Sequence, residues 1–248
     1  MSQVLIVTGA SRGIGAATAL LAAKQGWAVA VNYVANSLAA DEVVRSIRAL
    51  GGTAIAVQAD VGIEAQAVRL FETVDAKFGR LDGLVNNAGV VDMPVRIDEI
   101  TVERLERMWR TNITSSFICA REAVRRMSTR HHGEGGSIVN LSSAAARLGS
   151  PGQYVDYAAS KAAIDTFTMG LAKEVATEGI RVNAVRPGII DTDIHASGGL
   201  PDRAAQTAPM VPMQRAGTAH EVARAICWLL SDAASYTTGT ILDVTGGR

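Results

Sequence analysis

Residues 4–23 read VLIVTGASRGIGAATALLAA: an apolar run, a glycine-rich turn, then a helical pattern of small residues. Its glycines, Gly9, Gly13 and Gly15, are spaced G-x-x-x-G-x-G rather than in the commoner G-x-G-x-x-G dinucleotide fingerprint. The physics is shared. Glycines let the backbone approach a pyrophosphate closely, and the helix N-terminus attracts the anion. Taken alone, the stretch also fits a plain tight turn between strand and helix.

The same alternation continues along the chain. Apolar runs at 4–8, 28–33, 54–58, 83–87, 137–142, 180–185 and 240–244 are nearly continuous, as strands buried on both faces are. Helical patterns such as 16–25, 39–50 and 65–78 fall between them. Strand–helix alternation with right-handed crossovers builds an α/β fold: a doubly wound, seven-stranded parallel sheet with helices on both faces. No linker or internal repeat interrupts it, so one domain is expected over 1–248. The segment 193–215 departs from the pattern, mixing glycine, three prolines and small residues after a strand end. It reads as a flap over a site or as an irregular surface connection.

Composition narrows the function classes. Of 248 residues, 48% are hydrophobic and 19% charged, which suits a globular chain with a sizeable core. Lysine plus arginine (24) balances aspartate plus glutamate (24), so no net field draws nucleic acid or an anionic membrane. Arg121, Arg125, Arg126 and Arg130 recur at helical spacing and read as a solvated helix face. The N-terminus has no basic leader or cleavage site, and no apolar run nears the roughly 18 residues that span a bilayer. Cys119 and Cys227 read as buried reduced thiols of a cytoplasmic protein. His131, His132, His195 and His220 are scattered, which gives no support for a metal site.

Two later strand ends extend the cleft opened by the glycine turn. Asp60, followed by Val61, ends the third strand, where a carboxylate can accept from an adenine amino group. NNAG, 86–89, follows the fourth with amide side chains and small residues. Each on its own is also ordinary turn chemistry. Together they outline a cleft long enough for a dinucleotide.

The catalytic candidates lie in 154–161, YVDYAASK. Tyr157 and Lys161 are four apart in a helical run and share a face. A free tyrosine has a pKa of about 10, and a neighbouring ammonium favours the phenolate. A drop of about 2 to 3 in pKa corresponds to roughly 3 to 4 kcal/mol. Tyr154 has Ala158 at its i+4 position and gets no such help, so the spacing selects Tyr157. Ser143, at the end of the fifth strand, can donate to a carbonyl oxygen, while Ser142 should point to the opposite face. Asn112 lies in an otherwise apolar helix and reads equally as a core asparagine bonded to backbone.

TGASRGIG, NNAG, the set Ser143…Tyr157-x-x-x-Lys161 and the RPG at 186–188 resemble the short-chain dehydrogenase/reductase family over essentially the whole chain. The subgroup they resemble most is the NADPH-dependent carbonyl and 3-oxoacyl reductases, with bacterial sugar dehydrogenases close by. The resemblance implies a Rossmann sheet and a catalytic four of Asn112, Ser143, Tyr157 and Lys161, with Asn112 holding a water that links Lys161 to solvent. It also implies that Lys161 binds the nicotinamide ribose, that Asn86, Ala88 and Gly89 line the ribose and nicotinamide, and that Ile190 and Thr192, after Pro187 and Gly188, contact the carboxamide and pyrophosphate. A homotetramer is implied as well, packed along helices near 101–128 and 155–178 and covering the edge strand at the C-terminal end. The separation of Ser143 from Tyr157 is one residue longer than is usual in the family, a difference that falls in the loop before the helix.

The expected reaction is hydride transfer between a nicotinamide and a carbonyl or alcohol carbon of a small molecule. A nucleotide-binding sensor on the same fold is the alternative, although a pure binder would not need Ser143, Tyr157 and Lys161. A sugar-nucleotide epimerase shares Tyr-x-x-x-Lys but resembles longer chains. The substrate pocket is expected to involve the flap, 92–96 and 144–155. NADP(H) is expected over NAD(H), which remains possible. No acid stands at the end of the second strand, where Tyr33 lies and Asp41 is the first carboxylate. Arg12, with Ser11 and Ile14 in the glycine turn, can reach the 2′-phosphate, and Asn32, Asn36 and Ser37 can donate hydrogen bonds to it.

Overall fold

The run VLIV forms β1 (Val4–Val7), and its side chains alternate between two cores. Leu5 and Val7 pack into one apolar cluster, Val4 and Ile6 into the other, so both faces of the strand are covered. The computed structural model describes residues 2–192, 198–200 and 202–248. The order continues α1 (Gly13–Lys24), β2 (Ala28–Tyr33), α2 (Ser37–Ala49), β3 (Ala54–Gln58), α3 (Glu64–Phe78) and β4 (Gly83–Asn86). Then follow α4 (Val102–Trp109), α5 (Ser115–Met127), β5 (Gly136–Leu141), α6 (Ala145–Leu148), α7 (Val155–Val175) and β6 (Ile180–Pro187). The chain closes with β7 (Ile190–Asp191), α8 (Arg203–Thr207), β8 (Gly217–Thr218), α9 (Ala219–Leu230) and β9 (Ile241–Val244).

Seven strands form a parallel sheet in the order β3-β2-β1-β4-β5-β6-β9, as the alternating pattern requires. The order reverses between β1 and β4, and the crevice beyond their C-terminal ends is where such sheets bind ligands. Helices α1, α2 and α9 supply one core; α3, α5 and α7 supply the other. A small parallel pair, β7 with β8, adds a second sheet. Helices α1, α2 and α3 begin three, two and one residues earlier than their apolar periodicity suggests, because Gly13, Ser37 and Glu64 carry no hydrophobic signal.

The arginines of α5 converge on one buried carboxylate. Arg121, Arg125 and Arg126 all pair with Glu122, whose carboxyl they hold below the usual range against the opposing effect of burial. Arg126 also turns inward over the Phe71 ring, so only part of the expected solvated face is solvated. Cys119 and Cys227 are free and buried, and burial pushes both thiols up to about 12. Of the expected flap, 193–197 and Pro201 lie outside the described residues, His195 among them. No described helix is long and apolar enough to cross a membrane.

Candidate active site

Gly9 and Gly13 adopt left-handed φ values of 60° and 56°, which bend the chain from β1 into α1. A Cβ on Gly15 would lie 2.6 Å from the Asn87 side chain and from the Gly9 carbonyl, so only glycine fits there. Arg12 is exposed and precedes α1 in extended backbone; among the described residues no side chain caps that helix, and no acid stands in its first turn. The start of α1 is therefore left open to an anion. Thr192 faces this turn: its methyl would be 3.6 Å from a Cβ built on Gly13. The residues present thus fit a dinucleotide pyrophosphate, with Ser11 and Ile14 in the same turn.

Other predicted cofactor residues fall into two groups. Tyr33 is half-buried at the end of β2, and Ser37 is exposed in the first turn of α2. Asp60 is half-buried and accepts from the Gly62 amide, while Val61 is buried in the core. Gly89 borders the cleft beyond β4, and Pro187, Gly188 and Ile190 border it beyond β6, whereas Ala88, expected beside Gly89, packs against the core. Asn32 differs from the expectation. It is buried, its Oδ1 accepts from Gly9 N at 3.2 Å, and its Nδ2 donates to the Ala59 carbonyl at 2.9 Å. Asn32 therefore braces the glycine turn, and its amide is already committed within the protein. Asn86 is likewise turned inward, donating to Asn140 Oδ1 and the Ser116 carbonyl. Its neighbour Asn87 lines the cleft and donates to the Thr8 and Gly9 carbonyls. Two consecutive asparagines in one turn carry no sequence signal that separates them; the end of β4 does.

At the other end of the cleft, α7 carries Tyr157 and Lys161, and Ser143 lies just beyond β5. The Ser143 Oγ accepts from Ala145 N at 3.1 Å, and Ser143 and Tyr157 line the same cleft. Ser142 points away as alternation predicts, donating to the Lys161 carbonyl at 3.2 Å. Lys161 is buried and donates to the Leu141 carbonyl at 2.7 Å. A turn of π-helix at 110–114 interrupts α4 and α5 at Asn112. Asn112 Oδ1 accepts from Val90 N, and Nδ2 donates to the Val90 carbonyl and Ser160 Oγ. Asn112 Oδ1 and Lys161 Nζ both lie 3.4 Å from the point a Gly89 Cβ would occupy. The four candidates therefore meet at one cleft.

The electrostatics correct one expectation. Burial raises the Tyr157 pKa above its ordinary value, opposed by the Ser143 hydroxyl. Surface area leaves the residue partly accessible, so the effect reflects crowding around its hydroxyl. Lys161 does not reverse it: its ammonium is turned to the Leu141 carbonyl and is itself pushed down from 10.5 to about 8 by burial, against the charge of Asp165.

Four further features lay beyond the sequence reading. Asp165, four residues past Lys161 on α7, receives Arg186 through Nη2 at 2.7 Å and Nε at 3.0 Å. Its other oxygen is buried and has no hydrogen-bond partner among the described residues. The i+4 spacing from Lys161 could have flagged it. Tyr154 is buried, and its hydroxyl accepts from Arg203 of α8. The loop leading to Tyr154 has Gly149, Ser150 and Gly152 at positive φ, a tight path for the longer Ser143–Tyr157 separation. Val91, and none of 92–96, lines the cleft.

Comparison with known proteins gives a consistent result. Residues 9–248 match the family described as enoyl-(acyl carrier protein) reductase. An uncharacterized oxidoreductase of Escherichia coli strain K12 is 55% identical over 245 residues, covering 99% of both chains. A 3-oxoacyl-[acyl-carrier-protein] reductase of Synechocystis is 42% identical, covering 99% of this chain and 96% of its own. The solved structure of a doubly substituted Serratia marcescens short-chain dehydrogenase/reductase superposes with a TM-score of 0.91 at 34% identity, covering 99% of this chain and 97% of that one.

Proposed function

Because the chain belongs to the short-chain dehydrogenase/reductase family, we propose that it is an NADP(H)-dependent carbonyl reductase in which Tyr157 is the acid. It is an oxidoreductase of a family that uses NAD(P)(H); a sensor role is not favoured, since its relatives are named as oxidoreductases. The observation that carries the finer reading is the convergence of Ser143, Tyr157 and Lys161 on one cleft at the strand ends. Two hydroxyls lining one cleft can both reach a single substrate oxygen, which suits a carbonyl.

When bound, the nicotinamide supplies or accepts the hydride. Ser143 polarises the carbonyl, and Tyr157 donates its proton as charge develops on that oxygen. Burial suits this role by keeping the phenol protonated until it is needed. Lys161 places a positive charge beside the tyrosine and stands ready for the ribose hydroxyls, while Asn112 ties the 88–90 loop to α7. Gly9, Gly13 and the start of α1 would hold the pyrophosphate, with Thr192 closing over it. Tyr33 in place of a carboxylate at the end of β2, together with Arg12, supports the 2′-phosphate.

We take the working form to be a homotetramer in the cytoplasm. Val102, Phe117 and Met169 are exposed on the helices expected to pack against partners, and Phe117 stacks on Phe167 at 3.9 Å. Light scattering at micromolar concentration should give a tetramer; a monomer would refute it. The activity is tested by NADPH oxidation against ketones, 3-oxoacyl thioesters and aldoses. Turnover of at least one class is expected, and none with either cofactor would overturn the reading.

A further inference from the structure

The cleft that holds Tyr157 also holds a guanidinium, that of Arg203, which among the described residues has no carboxylate side chain as a partner. Arg203 projects from α8, donating from Nη1 to the Tyr154 hydroxyl at 3.2 Å and from Nη2 to Gln153 Oε1 at 2.9 Å. Its Cζ lies 4.8 Å from the centre of the Tyr154 ring. Both partners are neutral. In the interior Arg104 is matched by Asp156 and Arg186 by Asp165, whereas Arg181 is held by three backbone carbonyls that nothing entering the cleft would displace. Among the described residues, no aspartate or glutamate lines the cleft. Its other ionised side chains are Lys161, committed to the Leu141 carbonyl, and Arg248. The remaining walls include apolar Val91, Leu148 and Ile189.

A partly buried cation among neutral groups is left to be satisfied by whatever enters the cleft. The flat fork of a guanidinium matches a carboxylate in two parallel hydrogen bonds, and a single charge matches a monoanion. Neutral partners such as a phenol and an amide yield to a carboxylate, because charge-assisted bonds are stronger. Tyr154 stands one helical turn before Tyr157, so the anion site and the proton donor share one end of α7.

We propose that Arg203 receives a carboxylate of the substrate, so that the compound reduced at Tyr157 is an oxo acid. The inference rests on the reading of Tyr157 as an acid toward a carbonyl. It is tested with matched pairs, 4-oxopentanoate and 4-oxocyclohexanecarboxylate against their methyl esters, on wild type, Arg203→Gln and Arg203→Lys. Wild type should favour the acids by about ten- to hundredfold in kcat/KM, mostly through KM, the scale of a charge-assisted bond. Arg203→Gln should erase most of that ratio and Arg203→Lys should keep part of it. Equal use of acid and ester by wild type, or a ratio untouched in Arg203→Gln, overturns the proposal. Preference for dihydroxyacetone phosphate over the oxo acids overturns the choice of a carboxylate. If no carbonyl compound is turned over, the reductase reading fails, and calorimetry of acid against ester with oxidised cofactor present still decides the anion site: tighter acid binding lost in Arg203→Gln supports it, and equal binding refutes it.

Discussion

The Lys161 ammonium lies 5.7 Å from the centre of the Tyr157 ring, buried and bonded to a backbone carbonyl. Burial lowers its pKa from 10.5 to about 8. Below about pH 8 the lysine is charged in both folded and unfolded chains, and its burial opposes folding by about 3 kcal/mol. Between about 8 and 10.5 the unfolded chain binds the proton and the folded one does not, so this cost fades as pH rises. Urea unfolding of the wild type and Lys161→Met at pH 7.5 and 10 checks this. The wild type should gain relative to the variant at the higher pH; a constant difference would contradict the burial argument.

Arg104 and Asp156 form a buried two-pronged ion pair, at 2.6 and 3.1 Å, between α4 and α7. Arg104 also holds the Met93 carbonyl at 2.7 Å. Removing one partner leaves an uncompensated buried charge, so Asp156→Ala should lose about 3 to 5 kcal/mol in denaturant unfolding. A loss under about 1 kcal/mol would mean that the pair does not anchor the helix carrying Tyr157.

Much of this arrangement was legible in the chain because it rests on periodicity. Continuous apolar runs such as VLIV and AVAVNY have no polar face to offer, and they became central strands. The strands β7 and β8 were not legible, since each is two residues long. Spacing put Tyr157 and Lys161 on one helix face and the end of the fifth strand put Ser143 nearby, and all three line one cleft. Direction was the weaker part. Asn32 and Asn86 had suitable donors, but both side chains turn inward to bond neighbouring strands or the turn they support. The expected fall in the Tyr157 pKa failed because spacing gives proximity and says nothing about desolvation. Arg203 could not be read at all, since 49 positions separate it from Tyr154.

Cofactor choice should depend on Arg12. If its guanidinium meets the 2′-phosphate, Arg12→Ala should lower the ratio of NADPH to NADH efficiency by about ten- to hundredfold. An unchanged ratio would remove Arg12 from the account, and a wild type that prefers NADH would overturn the NADP assignment.

The central claim is that Tyr157, and not its neighbour Tyr154, gives the proton. The most direct measurement compares kcat for one carbonyl substrate, and cofactor affinity by nicotinamide fluorescence, in wild type, Tyr157→Phe and Tyr154→Phe. Loss of the Tyr157 hydroxyl should cut kcat by roughly 10²- to 10⁴-fold with cofactor affinity nearly intact. Loss of the Tyr154 hydroxyl, bonded to Arg203, should keep most of kcat and act mainly on KM. Equal losses in the two variants, or a Tyr157→Phe enzyme that still turns over at near the wild-type rate, would contradict the account.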